Sequence, residues 1–173
     1  MKKVFWDNPY QYNLITHVLS VNGNHILFDE TIAFSFSGGQ ESDKAYNNGI
    51  NVLDSEMKGN LIYYTLPEGH GLSVGDEAMM EIDWPRRYRL MRLHFAAELV
   101  LELVTQKLQI EKIVAHIAEA KASIDFFYDE NISYVLDGLL VEYNKIITQD
   151  ALIKTGFSDA ENQRRYWEID GFS

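Results

Sequence analysis

The 173-residue sequence has no cysteine, which removes disulfides and thiolate metal ligands from any reading of it. It has no apolar run long enough to cross a bilayer. Its N-terminus, Met1-Lys2-Lys3-Val4-Phe5-Trp6-Asp7, meets charge and then Pro9 too early for a secretory signal. Together these absences predict cytoplasmic residence and no membrane partner. Repeats and low-complexity tracts are also missing. Basic charge is scarce: Lys+Arg number 15 against 26 Asp+Glu, a formal net charge of −11. Such a balance argues against nucleic-acid binding through bulk attraction, although it leaves room for a local basic patch. Arg86, Arg87, Arg89 and Arg92 form one such concentration. A helix start whose arginines pair with nearby carboxylates accounts for them as well, and on charge alone that reading is preferred.

Hydrophobic residues at 46% and charged residues at 24% fit a globular chain of one ordinary domain or two small ones. The first half reads as β. Residues 12–21 and 25–28 flank Asn22-Gly23-Asn24, a hairpin signal, and further strands are expected over 31–36, 49–55, 60–65 and 77–83. Turn chemistry separates them at Gly38-Gly39, Asn47-Asn48-Gly49, Lys58-Gly59-Asn60 and Gly69-His70-Gly71. Short strands at such spacing predict a small β-barrel over residues 1–84.

The pattern changes at Trp84-Pro85, the natural domain boundary. From Arg87 to about Lys107, Leu90, Leu93, Ala97, Val100, Leu101 and Val104 recur at helical steps. Residues 111–127 read as two strands around a turn near Glu119-Ala120. A second long helix runs from about Ile132 to Thr148, capped by Asn131 or Asp129, and a last strand is expected over 165–169. Residues 85–173 therefore read as an α+β domain with an antiparallel sheet and two long helices, and the whole chain as α+β.

Five histidines frame the metal question. His94 and Glu98 are four apart on the first long helix, so both side chains leave one face, and a ring nitrogen and a carboxylate at that spacing can grip one divalent ion. A surface pair is the commoner meaning of this spacing. His116 follows an apolar strand and is a candidate for the same cleft, or else a half-buried histidine bonded to backbone. His17 and His25 read as sheet-face residues, and His70 as an exposed turn residue. In Ser37-Gly38-Gly39-Gln40-Glu41-Ser42-Asp43 the paired glycines allow close backbone approach to a ligand, and Gln40 offers both a donor and an acceptor. An ordinary connecting loop would look the same. The sequence contains no nucleophile elbow and no phosphate-cradling loop.

Read in order, these segments resemble the alanyl-tRNA editing family, meaning the free-standing editing proteins and the editing domain of alanyl-tRNA synthetase. The most specific segment runs from Gly75-Asp76-Glu77 through Glu81-Ile82-Asp83-Trp84-Pro85-Arg86-Arg87-Tyr88-Arg89-Leu90-Met91-Arg92-Leu93-His94, and is similar to the family's lead into its first zinc-binding helix. The Gly-rich loop matches with Glu41 where proline is usual. Lys121–Phe126, Glu142–Ile147 and Arg165–Phe172 follow in family order.

The resemblance implies an aminoacyl-tRNA deacylase that removes serine or glycine from alanine tRNA by metal-assisted ester hydrolysis, a second sieve for errors that a binding pocket cannot reject. It implies zinc as cofactor and the acceptor end of alanine tRNA as partner. It makes His94 a zinc ligand, Glu98 a ligand or base, Thr31 the hydroxyl that meets the serine side chain, and Gly38, Gly39 and Gln40 the pocket mouth. Arg86, Arg87 and Arg92 become the expected phosphate contacts.

Two departures accompany it. The family helix carries His-x-x-x-His where this one has Glu98, and the family's Cys-x-x-x-His segment would follow Ser173, where the sequence ends. Two readings stay open: a working deacylase with an altered or shortened metal site, or a tRNA-binding relative that has lost catalysis.

Overall fold

The computed structural model describes residues 1–157 and 165–169. Two compact units interleave along the chain: Met1–Ala97 with Ile113–Asp125, and Glu98–Lys112 with the residues from Phe126 onward. The change of pattern at Trp84-Pro85 coincides with the start of a helix, whereas the units divide inside that helix.

The first unit opens with β1 (Lys2–Lys3), a single helical turn α1 (Val4–Asp7), β2 (Asn13–Asn22), β3 (His25–Phe28) and β4 (Glu30–Thr31). It continues with β5 (Ala45–Asn47), β6 (Ile50–Asn51), β7 (Asp54–Lys58), β8 (Leu61–Thr65) and β9 (Glu77–Ile82). Seven strands form one antiparallel sheet in the order β6-β5-β9-β2-β3-β8-β7. Its edge strands β6 and β7 are separated by only Val52 and Leu53, whose amides reach Ala45 O and Thr65 O at 2.9 and 2.8 Å. The sheet is thus strongly curled, but among the described residues no ladder joins β6 to β7. The finding is a curled antiparallel sheet; the closed barrel expected from strand spacing is not established by it.

Alternation dictates this sheet. Along β9, Ala78, Met80 and Ile82 are buried while Glu77, Met79 and Glu81 are exposed, the two-residue period of a half-buried strand. Thr16 and Val18 of β2, Ile26 and Phe28 of β3, and Ile62 and Tyr64 of β8 turn to the same interior. Phe5 of α1, Ile32 and Leu66 complete this core. The stretch 31–36, expected as a strand, contributes only Thr31 to one. Two of its amides are taken up by side chains: Phe34 N donates to Asp43 Oδ2 at 2.6 Å and Phe36 N to Ser42 Oγ at 2.9 Å.

Helix α2 (Trp84–Leu108) begins three residues before its apolar periodicity does. Asp83 explains the difference: its Oδ1 accepts the Arg86 amide at 3.0 Å as an N-cap, and Pro85 sits in the first turn, where an amide hydrogen is not needed. Leu90 and Ala97 of this helix are buried with Ile117, and Leu93, Ala122 and Ile124 pack around them. Ile117 belongs to β10 (Lys112–Ile117), and Ala122 and Ile124 to β11 (Ala122–Phe126), its partner in a two-stranded sheet.

In the second unit, α3 (Ser133–Thr148) starts where Asn131 Oδ1 accepts the Ser133 amide at 3.0 Å. It is followed by β12 (Ile153–Phe157) paired antiparallel with β13 (Arg165–Ile169). Among the described residues, no helix is long and apolar enough to cross a membrane.

Candidate functional site

The site assembles in the first unit, around the Gly-rich loop. Ser37 and Gln40 close a tight turn, with Gln40 N donating to Ser37 O at 3.0 Å. Gly38 and Gly39 inside it have φ of +58 and +83°, a region that side chains with a Cβ adopt at a cost. The two glycines differ in their surroundings. A Cβ at Gly38 would meet nothing, whereas one at Gly39 would lie 2.0 Å from Ala115 O.

The loop is pressed against β10. Ile117 N donates to Gly39 O, and Glu41 N donates to Ile117 O, each at 2.9 Å. The second bond needs an amide hydrogen that proline lacks, so Glu41 adds a backbone tie that the proline expected from the resemblance could not make.

That docking buries Gln40 (8% exposed) and aims its amide at α2, where Oε1 meets His94 Nδ1 at 2.5 Å. With the amide oxygen accepting, the proton of this contact sits on His94 Nδ1. His116, on β10, sits beside the same loop: its Cα would stand 3.7 Å from a Cβ added at Gly39. Its side chain is exposed. Glu98 is half-buried one turn beyond His94 on α2.

Ionic contacts hold the loop to the helix start. Arg86 donates from Nη2 to Glu41 Oε2 at 2.7 Å and from Nη1 to Glu119 Oε2. The Glu119 amide in turn donates to Glu41 Oε2 at 3.1 Å, and Arg89 Nη2 binds Glu119 Oε1 at 2.5 Å. The hydrogen bond from Arg86 holds the Glu41 carboxyl below its usual range, and Arg86 does the same for Glu119 with help from Arg89. Burial works to lower Arg86, but its two carboxylates outweigh it and the guanidinium is raised.

Arg87 points inward. Its Nε donates to Asp43 Oδ1 at 2.8 Å and its Nη2 to Ile32 O at 2.7 Å, with a further bond to Asp43 Oδ2. The two side chains are 4% and 1% exposed. A guanidinium used in this way has little face left for a phosphate. Among the described residues no carboxylate pairs with Arg92, which is exposed.

Thr31, expected at the substrate, is completely buried. Its Oγ1 lies 2.6 Å from Tyr64 Oη and accepts the Ala33 amide at 3.0 Å. Tyr64 gives its one hydroxyl hydrogen to Ala33 O at 2.7 Å, so the Thr31 hydrogen must point to Tyr64. Burial pushes the Tyr64 phenol well up, keeping it a neutral donor. The Thr31 hydroxyl is therefore satisfied within the sheet interior, and meeting a substrate would require breaking this network.

The structure thus brings together Gly38, Gly39, Gln40 and His94, with His116 adjacent, and turns Arg86, Arg87 and Thr31 toward internal partners. Among the described residues no three His, Asp or Glu side chains converge as a metal site would require. Zinc takes at least three protein ligands, of which His94 and Glu98 would supply two. Sequence reasoning missed Asp43, Glu119 and Tyr64 as partners. An arginine doublet behind a capped helix start was a usable signal for buried carboxylates, but nothing in the sequence marked Glu119.

No family model matches the chain. It is 29% identical to the alanyl-tRNA editing protein AlaX-M of Pyrococcus horikoshii over 99% of its length and 80% of the relative's. It is 30% identical to AlaX-M of Saccharolobus solfataricus over 92% of its length and 70% of that protein. The alanine–tRNA ligase of Staphylothermus marinus matches at 38% over 58% of the chain, a stretch that is 11% of the ligase.

Proposed function

The chain belongs to the alanyl-tRNA editing proteins, and from that membership we propose that it hydrolyses the ester joining a wrong amino acid, serine or glycine, to the terminal ribose of alanine tRNA. The observation that carries the chemical reading is the hydrogen bond between Gln40 and His94, which orients the ring.

In this mechanism His94 Nε2 takes a proton from water as the water oxygen attacks the ester carbonyl carbon. The tetrahedral intermediate expels the ribose oxygen, which recovers the proton from the imidazolium. Water is consumed, and the free amino acid and uncharged tRNA leave. Gln40 acts as the positioning residue, and Gly38 and Gly39 form the rim that lets the ester approach. Glu98 is a second candidate base one turn along the helix. Of the arginines, Arg92 is assigned the phosphate contact, because Arg86 and Arg87 are engaged internally. The serine hydroxyl is not assigned to Thr31, whose own hydroxyl is satisfied.

The test is release of serine from serine-charged alanine tRNA. We expect His94→Ala to abolish release. Gln40→Ala should lower kcat by about tenfold or more while leaving KM near wild type. Full release by His94→Ala would remove the assignment. Elemental analysis of the same preparation separates base from ligand: stoichiometric zinc, lost in His94→Ala, would make Nε2 a metal donor. Tight tRNA binding without release would favour the non-catalytic reading.

A further inference from the structure

Three exposed tyrosine rings surround the half-buried Trp84 at the start of α2, outside the Gln40–His94 site. Tyr10 and Tyr12, which precede β2, place their ring centroids 5.7 and 6.3 Å from that of Trp84. Trp84 is in turn 5.7 Å from Tyr88, with the planes only 31° apart. Arg92 continues the row, its guanidinium carbon 5.9 Å from the Tyr88 ring centre. Trp84, Tyr88 and Arg92 follow one another at intervals of four, so they form a single stripe along the helix. Tyr10, Tyr12 and Tyr88 are 60, 55 and 43% exposed. A core role would have buried these rings, and leaving several of them adjacent in water is costly unless something covers them.

Resting on the editing reading above, we propose that this stripe is a stacking platform for the unpaired 3′ nucleotides of the tRNA acceptor end. Two features select that occupant. Flat π faces ending in a guanidinium with no carboxylate partner among the described residues match bases followed by a phosphate. The chain's charge of −11, with Arg86, Arg87 and Arg89 held by internal carboxylates, leaves little bulk attraction for a duplex, so affinity must come from short-range contact.

The spacing also fits. Tyr88 and His94 are six residues apart, about 9 Å along the helix axis and about a third of a turn around it. A tail of a few nucleotides covers that separation, so a base stacked on Tyr88 leaves the terminal ribose within reach of His94. Editing then reads a single-stranded end by stacking, which is tolerant of base identity.

The probe is an uncharged acceptor-stem RNA hairpin with its unpaired 3′ tail, compared with the same hairpin lacking the tail, using the full chain. Wild type is expected to bind the tailed hairpin at least tenfold more tightly. Tyr88→Ala should lose about tenfold on the tailed hairpin and nothing on the blunt one, while Tyr88→Phe stays within about twofold of wild type. The affinity for the tailed hairpin should fall only weakly with salt, with a log–log slope near −1, as expected for about one phosphate contact. Equal wild-type binding to both hairpins overturns the platform, as does a Tyr88→Ala loss shared by the blunt hairpin. Serine release measured in parallel keeps the two ideas apart. Release without tail-dependent binding sinks the platform alone, and tail-dependent binding without release sinks the hydrolytic reading alone.

Discussion

Replacing Gly39 by alanine would put a methyl group 2.0 Å from Ala115 O, in a backbone conformation with φ of +83°. A carbon and a carbonyl oxygen approach no closer than about 3.3 Å, so the loop must retreat from β10 by roughly 1 Å. That retreat breaks or stretches the bonds from Ile117 N to Gly39 O and from Glu41 N to Ile117 O, now 2.9 Å each. Two such bonds contribute about 2 kcal/mol net, and the left-handed conformation costs another 1–2 kcal/mol or so. The sum, about 3–4 kcal/mol, is a large part of the roughly 5–15 kcal/mol that holds a domain together. Gly38→Ala is the matched control. Its φ is +58° and no atom lies within 4 Å of the added carbon, so only the conformational cost of about 1 kcal/mol applies. Urea unfolding of both variants measures the difference through their midpoints. Serine release should fall much further in Gly39→Ala, because the retreat carries Gln40 away from His94. If both alanines cost the same within about 0.5 kcal/mol, the close approach of loop to β10 does not exist and the argument for Gln40 falls with it.

Arg87→Lys keeps the charge but loses the fork that binds Asp43 and Ile32 O, and should destabilise by about 3 kcal/mol while changing tRNA affinity less than twofold. Denaturation and filter binding on the same variant check it, and a selective loss of tRNA binding would return Arg87 to phosphate contact. Acid sensitivity should centre on Asp29. Burial alone would raise its carboxyl, but hydrogen bonds from the His17 and Glu30 amides, the Thr16 hydroxyl and the His17 ring bring it to about 2. A folded value below the unfolded one gives stability that is fully present above the ordinary carboxylate range and is lost as pH falls toward 2. Thermal unfolding should therefore drop between about pH 4 and pH 2, with Asp29→Asn less stable at neutral pH and visibly flatter over that window. An unchanged slope in Asp29→Asn would assign the acid loss elsewhere, to Glu41 and Glu119, which are also depressed.

The strands of the curled sheet were readable because burial on one face imposes a two-residue period, seen in Ala78, Met80 and Ile82. The first long helix was readable by its three- and four-residue steps, although its true start depended on Asp83 as cap. Shorter elements escaped. The strand Ala45–Asn47 has three residues, too few to show a period, and its place beside β9 comes from pairing across the chain. Ile153–Phe157 contains a glycine, which hides its strand pattern.

The sequence by itself determined the family, the turn chemistry of Gly38-Gly39 and the helical placement of His94. Only the tertiary structure decided that Gln40 reaches His94 across 54 residues, that Arg86 and Arg87 find Glu41 and Asp43 some 44 or 45 residues away, and that Thr31 is sealed against Tyr64. Periodicity and capping are written within one or two turns of chain. Which guanidinium meets which carboxylate depends on how distant segments pack, and no local pattern encodes that choice.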